Sequence, residues 1–284
     1  MRSDFCVFVL THGRPDKLYT LNTLKKSGYT GKVYLVIDDE DKTADRYKEL
    51  YGDMVLQFSK VEIGTTFDEG DNFDDRRTIT YARNVCFELA KKVGCRLFIE
   101  LDDDYSGFYI RFNSAGKYGS FRVKTMMDSL LNAMIDFYES IPALSIALSQ
   151  GGDHIGGGDG NPQPRLMRKC MNSFICSVDR PFQFRGRFNE DVNTYTTLGR
   201  QGHLFFTVLQ AQLNQKATQS NPGGITDLYK KFGTYVKSFN TIQHAPSCVK
   251  VGEMGDPRSP NYRIHHVINW GNCAPRIIRE DHRK

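Results

Sequence analysis

The 284-residue sequence predicts an α/β fold in which a Rossmann-type, mainly parallel central sheet is flanked by helices. In the first 150 residues, short apolar runs alternate with longer segments of helical periodicity. Several of these runs end in polar residues, at the edge where sheets of this kind hold their ligands. Hydrophobic residues make up 39% of the chain and aromatic residues 12%, which is enough for a sizeable core.

Four predicted strands are short, apolar and bounded by turn residues: DFCVFVL (4–10), KVYLVID (32–38), MVLQF (54–58) and CRLFIEL (95–101). A helix is expected from Pro15 to Gly28, with lysines in its last turn, where the helix dipole favours cations. A second helix is expected over 76–94, because its apolar residues recur at helical spacing before Gly94. Strands alternating with helices in this way indicate a parallel sheet.

The second part of the chain begins with a predicted helix (123–141) and strand (143–149). Residues 150–164 are rich in glycine, so they predict either a flexible surface loop or a loop whose backbone approaches a phosphate or sugar. Residues 216–239 are polar and punctuated by glycine, which is typical of a mobile lid or a polymer-contacting loop. The segment YRIHHVINW (262–270) predicts a late strand.

Polar side chains follow the predicted strands at their carboxyl ends. The first strand leads into Thr11, His12, Gly13 and Arg14, the second ends in Asp38 and Asp39, and the fourth ends in Asp102, Asp103 and Asp104. Adjacent carboxylates repel one another unless a divalent cation neutralises them, and Mg²⁺ or Mn²⁺ prefers such oxygen ligands together with substrate phosphates. Residues two apart share a face of a strand, so Asp102 and Asp104 are expected to converge while Asp103 points elsewhere. An acidic turn that only solvates a strand end is the alternative.

A basic, aromatic segment runs from Arg165 to Arg187, with six basic residues, one acid and three interleaved phenylalanines. This pattern is typical of a groove that follows a nucleic-acid backbone, or of a solvated basic face. The net charge of +5 permits an anionic partner without requiring one.

Two further sets of residues are candidates for chemistry. Asn189 is a favourable N-cap, so Glu190 and Asp191 either serve helix capping or supply a general base. His265 and His266 are neighbours in the late predicted strand, where they face opposite sides, so at most one is expected to reach a metal site. A packed core histidine is the alternative.

Composition excludes some classes of protein. No apolar run approaches the ~20 residues that span a bilayer, and the N-terminal apolar run is expected to be a buried strand rather than a signal peptide. Seven cysteines without a CxxC pair predict a reducing cytoplasm rather than a disulfide framework.

The sequence resembles the TET-associated glycosyltransferase family, found in bacteriophages with modified DNA and as a divergent domain in some eukaryotic proteins. The resemblance spans nearly the whole chain. The segments that carry it are THGRP (11–15), FIELDDDY (98–105), the long segments 171–208 and 218–239, and HHVINWGNCAPRI (265–277).

This resemblance implies a GT-A fold, with residues 1–150 as the nucleotide-sugar-binding half and 151–284 as the acceptor-binding and lid half. It implies that a sugar, expected to come from a UDP-sugar, is transferred to the hydroxyl of a 5-hydroxymethylpyrimidine in phage DNA. The expected acceptor base is 5-hydroxymethylcytosine, and the expected location is the infected host cytoplasm, without a membrane or a stable protein partner. A nucleotidyltransferase or nuclease acting on DNA, or a non-catalytic DNA-binding module, are the alternatives.

The resemblance also implies roles for individual residues. The D-x-D metal site falls on Asp102 and Asp104, and the late metal-binding histidine on His265 or His266. The x-E-D motif falls on Glu190 and Asp191, with Asp191 preferred as the base. The residues expected to contact the donor are Thr11, His12, Gly13, Arg14, Asp38, Asp39, Arg76 (or its neighbour Arg77), Asp103, Gly151 and Gly152. The last two begin the glycine-rich loop, and three adjacent aspartates leave open which two bind the metal.

Overall fold

A computed structural model describes residues 1–71, 75–154, 168–215, 228, 231–233, 235–258 and 262–274. The strands are β1 (Phe5–Leu10), β2 (Lys32–Asp38), β3 (Val55–Phe58), β4 (Leu97–Asp102), β5 (Tyr105–Phe112), β6 (Tyr118–Arg122), β7 (Ala143–Ser149), β8 (Ser173–Ser177), β9 (Leu204–Gln215), β10 (Val249–Met254) and β11 (Arg263–Ile268). The helices are α1 (Tyr19–Lys26), α2 (Ala44–Tyr51), α3 (Lys60–Gly64), α4 (Thr80–Lys92), α5 (Met127–Ser140), α6 (Glu190–Gly199), α7 (Tyr235–His244) and α8 (Trp270–Cys273).

The described strands form a large sheet in the order β3-β2-β1-β4-β8-β7-β9-β5-β6, and β10 pairs with β11 in a separate antiparallel hairpin. The strands β3, β2, β1 and β4 are parallel, which confirms the predicted Rossmann-type part. Beyond β4 the sheet is mixed, because β8 is antiparallel to both β4 and β7 while β9 is parallel to β7. The predicted α/β class is confirmed.

The register of the parallel strands brings their carboxyl ends to one edge. Leu10 of β1 is level with Val36 of β2 and with Asp102 of β4. The backbone N–H of Thr11 continues the ladder with a hydrogen bond of 3.2 Å to the carbonyl of Val36. The polar residues that follow these strands therefore meet at the same place, as the sequence predicts.

Both faces of the sheet are buried at β1 and β4, which explains why these strands are almost continuously apolar. Phe5, Val7 and Val9 point toward one face, where they belong to a core with side chains of α1 and α5. Cys6, Phe8 and Leu10 point toward the other face, into a core with side chains of α4 and α6. All six residues are buried, so β1 supports both cores at once.

The phenylalanines of the basic, aromatic segment are buried, so the prediction that they line a groove and stack bases is wrong. Phe174 and Phe184 are 1% and 0% exposed and belong to the core against α4 and α6. Arg187 is also buried and forms ion pairs with Glu69 and Asp71. A composition of arginines and aromatics cannot distinguish a nucleic-acid groove from a core sealed by internal ion pairs. Arg165 lies outside the described residues.

Two of the predicted loops fall only partly within the described residues. Gly151–His154 forms a short 3-10 turn, and 155–164 lie outside them. The predicted lid extends to Phe239, but α7 already begins at Tyr235. The last five residues of that segment are therefore helical and not a loop. The boundary at residue 150 stays a prediction; β8 and β9 from the second part complete the same sheet as β1–β7.

All seven cysteines are buried and free, in agreement with the absence of a predicted disulfide framework. None of the helices within the described ranges has the length and apolar character needed to cross a membrane.

Candidate active site

A cavity of about 330 Å³ opens at the carboxyl edge of the parallel strands. It brings together eight of the residues predicted from the sequence: Thr11, His12, Arg14, Asp38, Asp102, Asp103, Asp104 and Glu190. Later parts of the chain also line it, namely Arg187, Asn189, Glu190 and Gln215. The cavity therefore lies between the two predicted halves.

Asp38 anchors one end of the cavity through two basic partners. It is 5% exposed, and its carboxylate lies 2.7 Å from Nδ1 of His12 and 3.0 Å from Nζ of the buried Lys60. Burial acts to raise the pKa of Asp38, but His12 and Lys60 outweigh it and the pKa is lowered. The same hydrogen bond raises the pKa of His12, so this end of the cavity carries fixed donors around an ionised carboxylate.

Asp39 and Gly13, by contrast, are structural neighbours of the cavity rather than part of its wall. The carboxylate of Asp39 accepts a hydrogen bond of 3.0 Å from the backbone N–H of Lys60, at the start of α3. Gly13 adopts φ +70°, and its N–H donates to Asp41 at 2.7 Å. Of the two expected nucleoside-binding acids, Asp38 is the one that faces the cavity.

The three adjacent aspartates differ in the partners of their side chains. Asp103 accepts hydrogen bonds from Oγ1 of Thr11 at 2.8 Å and from Nη1 of Arg14 at 3.1 Å, so it fixes the arginine at the cavity wall. Burial raises the pKa of Asp103, while Arg14 opposes the rise. Asp102 turns to the other side, toward Arg83.

Asp104 is the least satisfied member of the run. Its Oδ2 lies 3.4 Å from Nε2 of Gln215, and its buried Oδ1 has no hydrogen-bond partner among the described residues. Burial and the neighbouring Asp103 raise its pKa. An oxygen left unpaired in this way fits a site for a divalent cation, because oxygen ligands are the ones that Mg²⁺ and Mn²⁺ prefer.

Arg83 of α4 connects the aspartate run to the second half of the chain. It is 1% exposed, and its guanidinium contacts three carboxylates on two elements: Glu100 at 3.4 Å and Asp102 at 3.0 Å on β4, and Glu190 at 3.0 Å on α6. Burial raises the pKa of Glu100 to about 8 and that of Asp102 to about 7, against the opposing effect of Arg83. With these raised pKa values, Glu100 and Asp102 carry only part of their negative charge at neutral pH, and Arg83 compensates what remains.

Within the described ranges, no three His, Cys, Asp or Glu side chains are arranged to hold a metal ion by themselves. This is compatible with a Mg²⁺ or Mn²⁺ site, since such ions usually take only one or two carboxylates and complete their shell with water and substrate phosphates. Asp102 and Asp104 are the residues that would supply those carboxylates.

Glu190 and Asp191 start α6 but face different surroundings. Glu190 lines the cavity and pairs with Arg83, whereas Asp191 does not line the cavity and is 9% exposed. Oδ1 of Asp191 accepts a hydrogen bond of 2.7 Å from the N–H of Val192. Burial, followed by repulsion from Glu190, raises the pKa of Asp191 to about 7.

Asn189 holds the N-cap position of this helix, as predicted, with φ +52°, but its side chain makes no capping hydrogen bond. Its Nδ2 instead donates to the carbonyl of Lys237 at 3.1 Å and to Oγ1 of Thr241 at 3.0 Å, and lies 3.4 Å from Nδ1 of His266. Asn189 thereby ties the cavity wall to α7 and β11.

The two histidines do not reach the aspartates. Neither lines the cavity, and their ring centroids are 4.1 Å apart, so the rings lie together rather than on opposite sides of β11. Burial, followed by the field of Lys169, lowers the pKa of His265 to about 4 and that of His266 to about 3. The structure therefore does not assemble them with Asp102 and Asp104.

The remaining predicted donor contacts also lie outside the cavity wall. Gly151 and Gly152 begin the 3-10 turn after β7. Arg76 pairs with Glu40 at 2.6 Å and does not line the cavity, whereas its neighbour Arg77 does. The expected helix start at residue 76 is too early by about a turn, because α4 begins at Thr80.

Lys60, Arg83 and Gln215 are functional-site residues that sequence reasoning missed. One signal was available for Arg83: Glu100 interrupts an apolar strand, and a carboxylate buried there requires a cation. Lys60 and Gln215 lie in segments without a pattern of their own, so only the folded chain shows that they reach the cavity.

Clustered carboxylates at the carboxyl edge of an α/β sheet are typical of enzymes that handle phosphorylated substrates. The model of the TET-Associated Glycosyltransferase family matches residues 5–224, and the chain belongs to that family. It is therefore a glycosyltransferase, as the sequence predicts. No curated protein matches the sequence.

Several solved structures are similar in fold. Glucosyl-3-phosphoglycerate synthase from Mycobacterium tuberculosis, in complex with Mg²⁺ and UDP, is 10% identical, with 93% of this chain and 87% of that chain covered and a TM-score of 0.48. The mannosyltransferase PcManGT from Pyrobaculum calidifontis, in complex with GDP-Man and Mn²⁺, is 11% identical, with coverages of 87% and 74% and a TM-score of 0.48. S. aureus TarS is 15% identical, with coverages of 80% and 38% and a TM-score of 0.43.

Proposed function

We propose that this glycosyltransferase uses Mn²⁺ or Mg²⁺ to transfer a sugar from a nucleotide-sugar, a UDP-sugar, to a 5-hydroxymethylpyrimidine in DNA. The proposed acceptor is 5-hydroxymethylcytosine of phage DNA in the infected host cytoplasm, and it rests on the family to which the chain belongs. The observation that carries the donor and metal is the cavity, which joins Asp38 to the aspartate run at one sheet edge.

The donor is proposed to lie along this edge. Its nucleoside occupies the end formed by Asp38, His12 and Lys60, where two basic side chains provide donors for base or ribose oxygens. Its diphosphate then lies at the aspartate run, beside Arg14 and Arg77, which also line the cavity. Guanidinium groups form strong, charge-assisted hydrogen bonds with phosphate oxygens.

Sugar transfer places negative charge on the departing diphosphate. A divalent cation, when bound, stabilises that charge. Asp104 is the first ligand proposed because of its unpaired Oδ1, and Asp102 is the second. Arg83 holds Asp102 in place, and Arg14, itself held by Asp103, adds positive charge near the leaving group.

The acceptor hydroxyl must lose a proton as it attacks the sugar. Asp191 remains the first choice as general base, because a pKa of about 7 suits proton abstraction at neutral pH. Glu190 is the second choice; it faces the cavity, but its ion pair with Arg83 makes it a weaker proton acceptor. Because Asp191 does not line the cavity, this role requires the acceptor to approach α6 from outside the cavity wall.

The test is mass spectrometry of nucleosides from hydroxymethylated DNA after incubation with the protein, Mn²⁺ and a panel of nucleotide-sugars. We expect one nucleoside to gain the mass of one sugar with one of the donors. Asp104→Asn should abolish this gain, whereas Asp256→Asn should not, because Asp256 is exposed and pairs only locally with Arg258.

Unmodified DNA separates the alternatives. Cleavage or extension of plain DNA without any sugar gain would show a nuclease or nucleotidyltransferase instead. DNA binding that persists in Asp104→Asn, with no turnover by either protein, would indicate a binding module.

A further inference from the structure

Asn172 does not line the cavity, but it contacts Gln215, which does. It has φ +61°, a conformation that residues other than glycine rarely adopt. The backbone N–H of Ser173 donates to the carbonyl of Met171 at 2.7 Å, so Asn172 is the central residue of a tight three-residue turn before β8. Backbone strain of this kind persists only where the surrounding contacts hold it, and it is common beside functional sites.

The contacts of Asn172 lead to the aspartate run from two directions. Its Nδ2 donates to Oε1 of Gln215 at 2.6 Å, and its carbonyl accepts a hydrogen bond from the hydroxyl of Tyr105. Tyr105 is fully buried and follows Asp104 directly in the chain. The strained residue is therefore joined both to the residue after Asp104 and to the amide that faces the Asp104 side chain.

Gln215 extends the contact from Asn172 to Asp104. Because Oε1 of Gln215 accepts from Asn172, its Nε2 is the atom that faces Asp104, at 3.4 Å from Oδ2. The opposite orientation of the amide would place two acceptor oxygens against each other. Asn172 thus fixes the amide so that Oδ2 of Asp104 has a donor, while Oδ1 has no partner within the described ranges.

The backbone of the aspartate run is held independently, by Thr20 of α1. The N–H of Thr20 donates to the carbonyl of Asp103 at 3.1 Å, and its hydroxyl donates to the carbonyl of Asp102. The same hydroxyl accepts from the N–H of Tyr105 at 2.9 Å. Gln215 is therefore not needed to hold this turn, and its contact acts on the Asp104 side chain.

The three aspartates differ in how many oxygens they leave for a cation. Both oxygens of Asp103 are occupied, Oδ2 by Thr11 and Oδ1 by Arg14. Asp102 uses Oδ1 for its ion pair with Arg83, and Asp104 uses Oδ2 for Gln215. Asp103 is thereby excluded as a ligand, and Asp104 offers one oxygen instead of two.

We propose that Asn172 and Gln215 are positioning residues that turn Asp104 so that only its Oδ1 is offered to the divalent cation. This rests on the proposed function. Mg²⁺ and Mn²⁺ suit single oxygens from one or two carboxylates, whereas Ca²⁺ takes more oxygen ligands and often binds both oxygens of one carboxylate. Holding Oδ2 by an amide therefore favours Mg²⁺ and Mn²⁺ over Ca²⁺ at this site.

The test is cation binding to the protein with saturating UDP, with Mn²⁺ followed by the electron paramagnetic resonance signal of the free ion and Ca²⁺ by competition. Asn172→Gly removes the amide and keeps a residue that adopts positive φ readily. It should raise the Kd for Mn²⁺ about tenfold, as is usual for residues that orient a metal ligand. Its Tm without ligands should stay close to that of the parent protein.

Gln215→Leu removes the donor to Asp104 and should raise the Kd for Mn²⁺ by a similar factor. The Kd for Ca²⁺ should rise much less in both variants, because Asp104 then turns freely and can offer both oxygens. Asn272→Gly is the matched control, since the exposed Asn272 donates only to the carbonyl of Ser247 at 2.8 Å. It should bind both cations as the parent protein does.

An unchanged Kd for Mn²⁺ in Asn172→Gly would overturn the proposal, even if Gln215→Leu binds more weakly, because Asn172 would then position nothing. Equal losses for Mn²⁺ and Ca²⁺, or a loss that accompanies a lower Tm without ligands, would likewise overturn it in favour of a purely structural role.

Sugar transfer is a separate readout. Sugar gain by the parent protein together with parent-like Mn²⁺ binding in both variants would leave the proposed transfer intact and remove the positioning role. Selectively weakened Mn²⁺ binding without sugar gain from any donor would keep the positioning role and remove the proposed transfer to DNA.

Discussion

Arg83 is a buried side chain whose ion pairs connect β4 to α6. Its guanidinium contacts Glu100 and Asp102 of β4 and Glu190 of α6, so one cation compensates three acids and sets the spacing between the predicted halves. Removing one partner of a buried ion pair leaves uncompensated charge, which is far more costly than losing an exposed pair.

Arg83→Met is therefore expected to lower the free energy of unfolding by about 3–5 kcal/mol. The loss should be larger well above pH 8 than well below pH 7, because Glu100 and Asp102, with pKa values of about 8 and 7, need no cation once protonated. Denaturant unfolding at several pH values measures this.

Arg46→Met is the matched control, since Arg46 pairs with Glu49 on the surface. A loss of the same small size in both variants, or one independent of pH, would contradict a compensating role for Arg83.

Asp191 governs the expected pH dependence of transfer. A general base acts only when it is deprotonated, so the rate should rise with pH through about 7, the pKa to which burial raises this carboxyl. Asp191→Asn should lose this inflection and about 10²–10⁴ in kcat. Initial rates measured across pH with saturating donor test it.

Glu190→Gln is the informative comparison. It should lower activity, because it alters the pairing of Arg83, and it should retain an inflection that is displaced to lower pH, because repulsion from Glu190 helps to raise the pKa of Asp191. An inflection that survives in Asp191→Asn and disappears in Glu190→Gln would transfer the role of base to Glu190.

At the scale of elements, Arg180 joins the end of α5 to β7. Its Nη1 donates to the carbonyls of Tyr138, Ile141 and Ala143 at 3.3, 2.8 and 2.9 Å, and its guanidinium lies 4.8 Å from the ring centroid of Tyr138. The arginine thus satisfies backbone groups that the end of a helix leaves without partners.

Arg180→Ala is expected to lower the free energy of unfolding by about 2–3 kcal/mol, because those carbonyls lose a charged donor. The KM for the nucleotide-sugar should not change, since Arg180 lies away from the cavity. Thermal unfolding and donor kinetics are the measurements, with Arg258→Ala as an exposed control. Equal stability of the two variants would show that the backbone contacts of Arg180 contribute nothing.

The elements also show what sequence patterns determine. Short apolar runs bounded by turn residues predicted β1, β2, β3 and β4, because such runs are typical of buried strands. The same local reasoning failed for 165–187, where Arg187 pairs with acids more than 100 positions earlier in the sequence. Pairings of that kind depend on the assembled fold and leave no local signal.

At the scale of the whole molecule, ligand binding should be coupled to stability. A ligand that binds only the folded state stabilises it by about 2.7 kcal/mol at 100 times its Kd. UDP with Mn²⁺ should accordingly raise the Tm of the parent protein, and the Mn²⁺-dependent part of the rise should be absent in Asp104→Asn. Differential scanning fluorimetry with and without metal measures it.

Asp256→Asn should keep the full metal-dependent rise. A rise that is equal in Asp104→Asn would show that the cation binds without this carboxylate, and the proposed metal site would be wrong.

The site as a whole was predictable in part, for a physical reason. The carboxyl edge of a parallel sheet is determined by strand direction, so Thr11, Asp38 and Asp102 could be placed together from their positions alone. His265 and His266 could not, because the orientation of a hairpin outside the sheet depends on the helices beneath it.

The side chain of Asn189 touches the donor cavity on one side and is held on the other by Lys237, Thr241 and His266. Those three residues follow the part of the chain that the family model covers. Grafting the late helix and hairpin of one relative onto the first two hundred residues of another is therefore expected to alter the wall of this cavity. Chimeric enzymes built from this family should take the segment around Asn189, the late helix and the hairpin from the same relative.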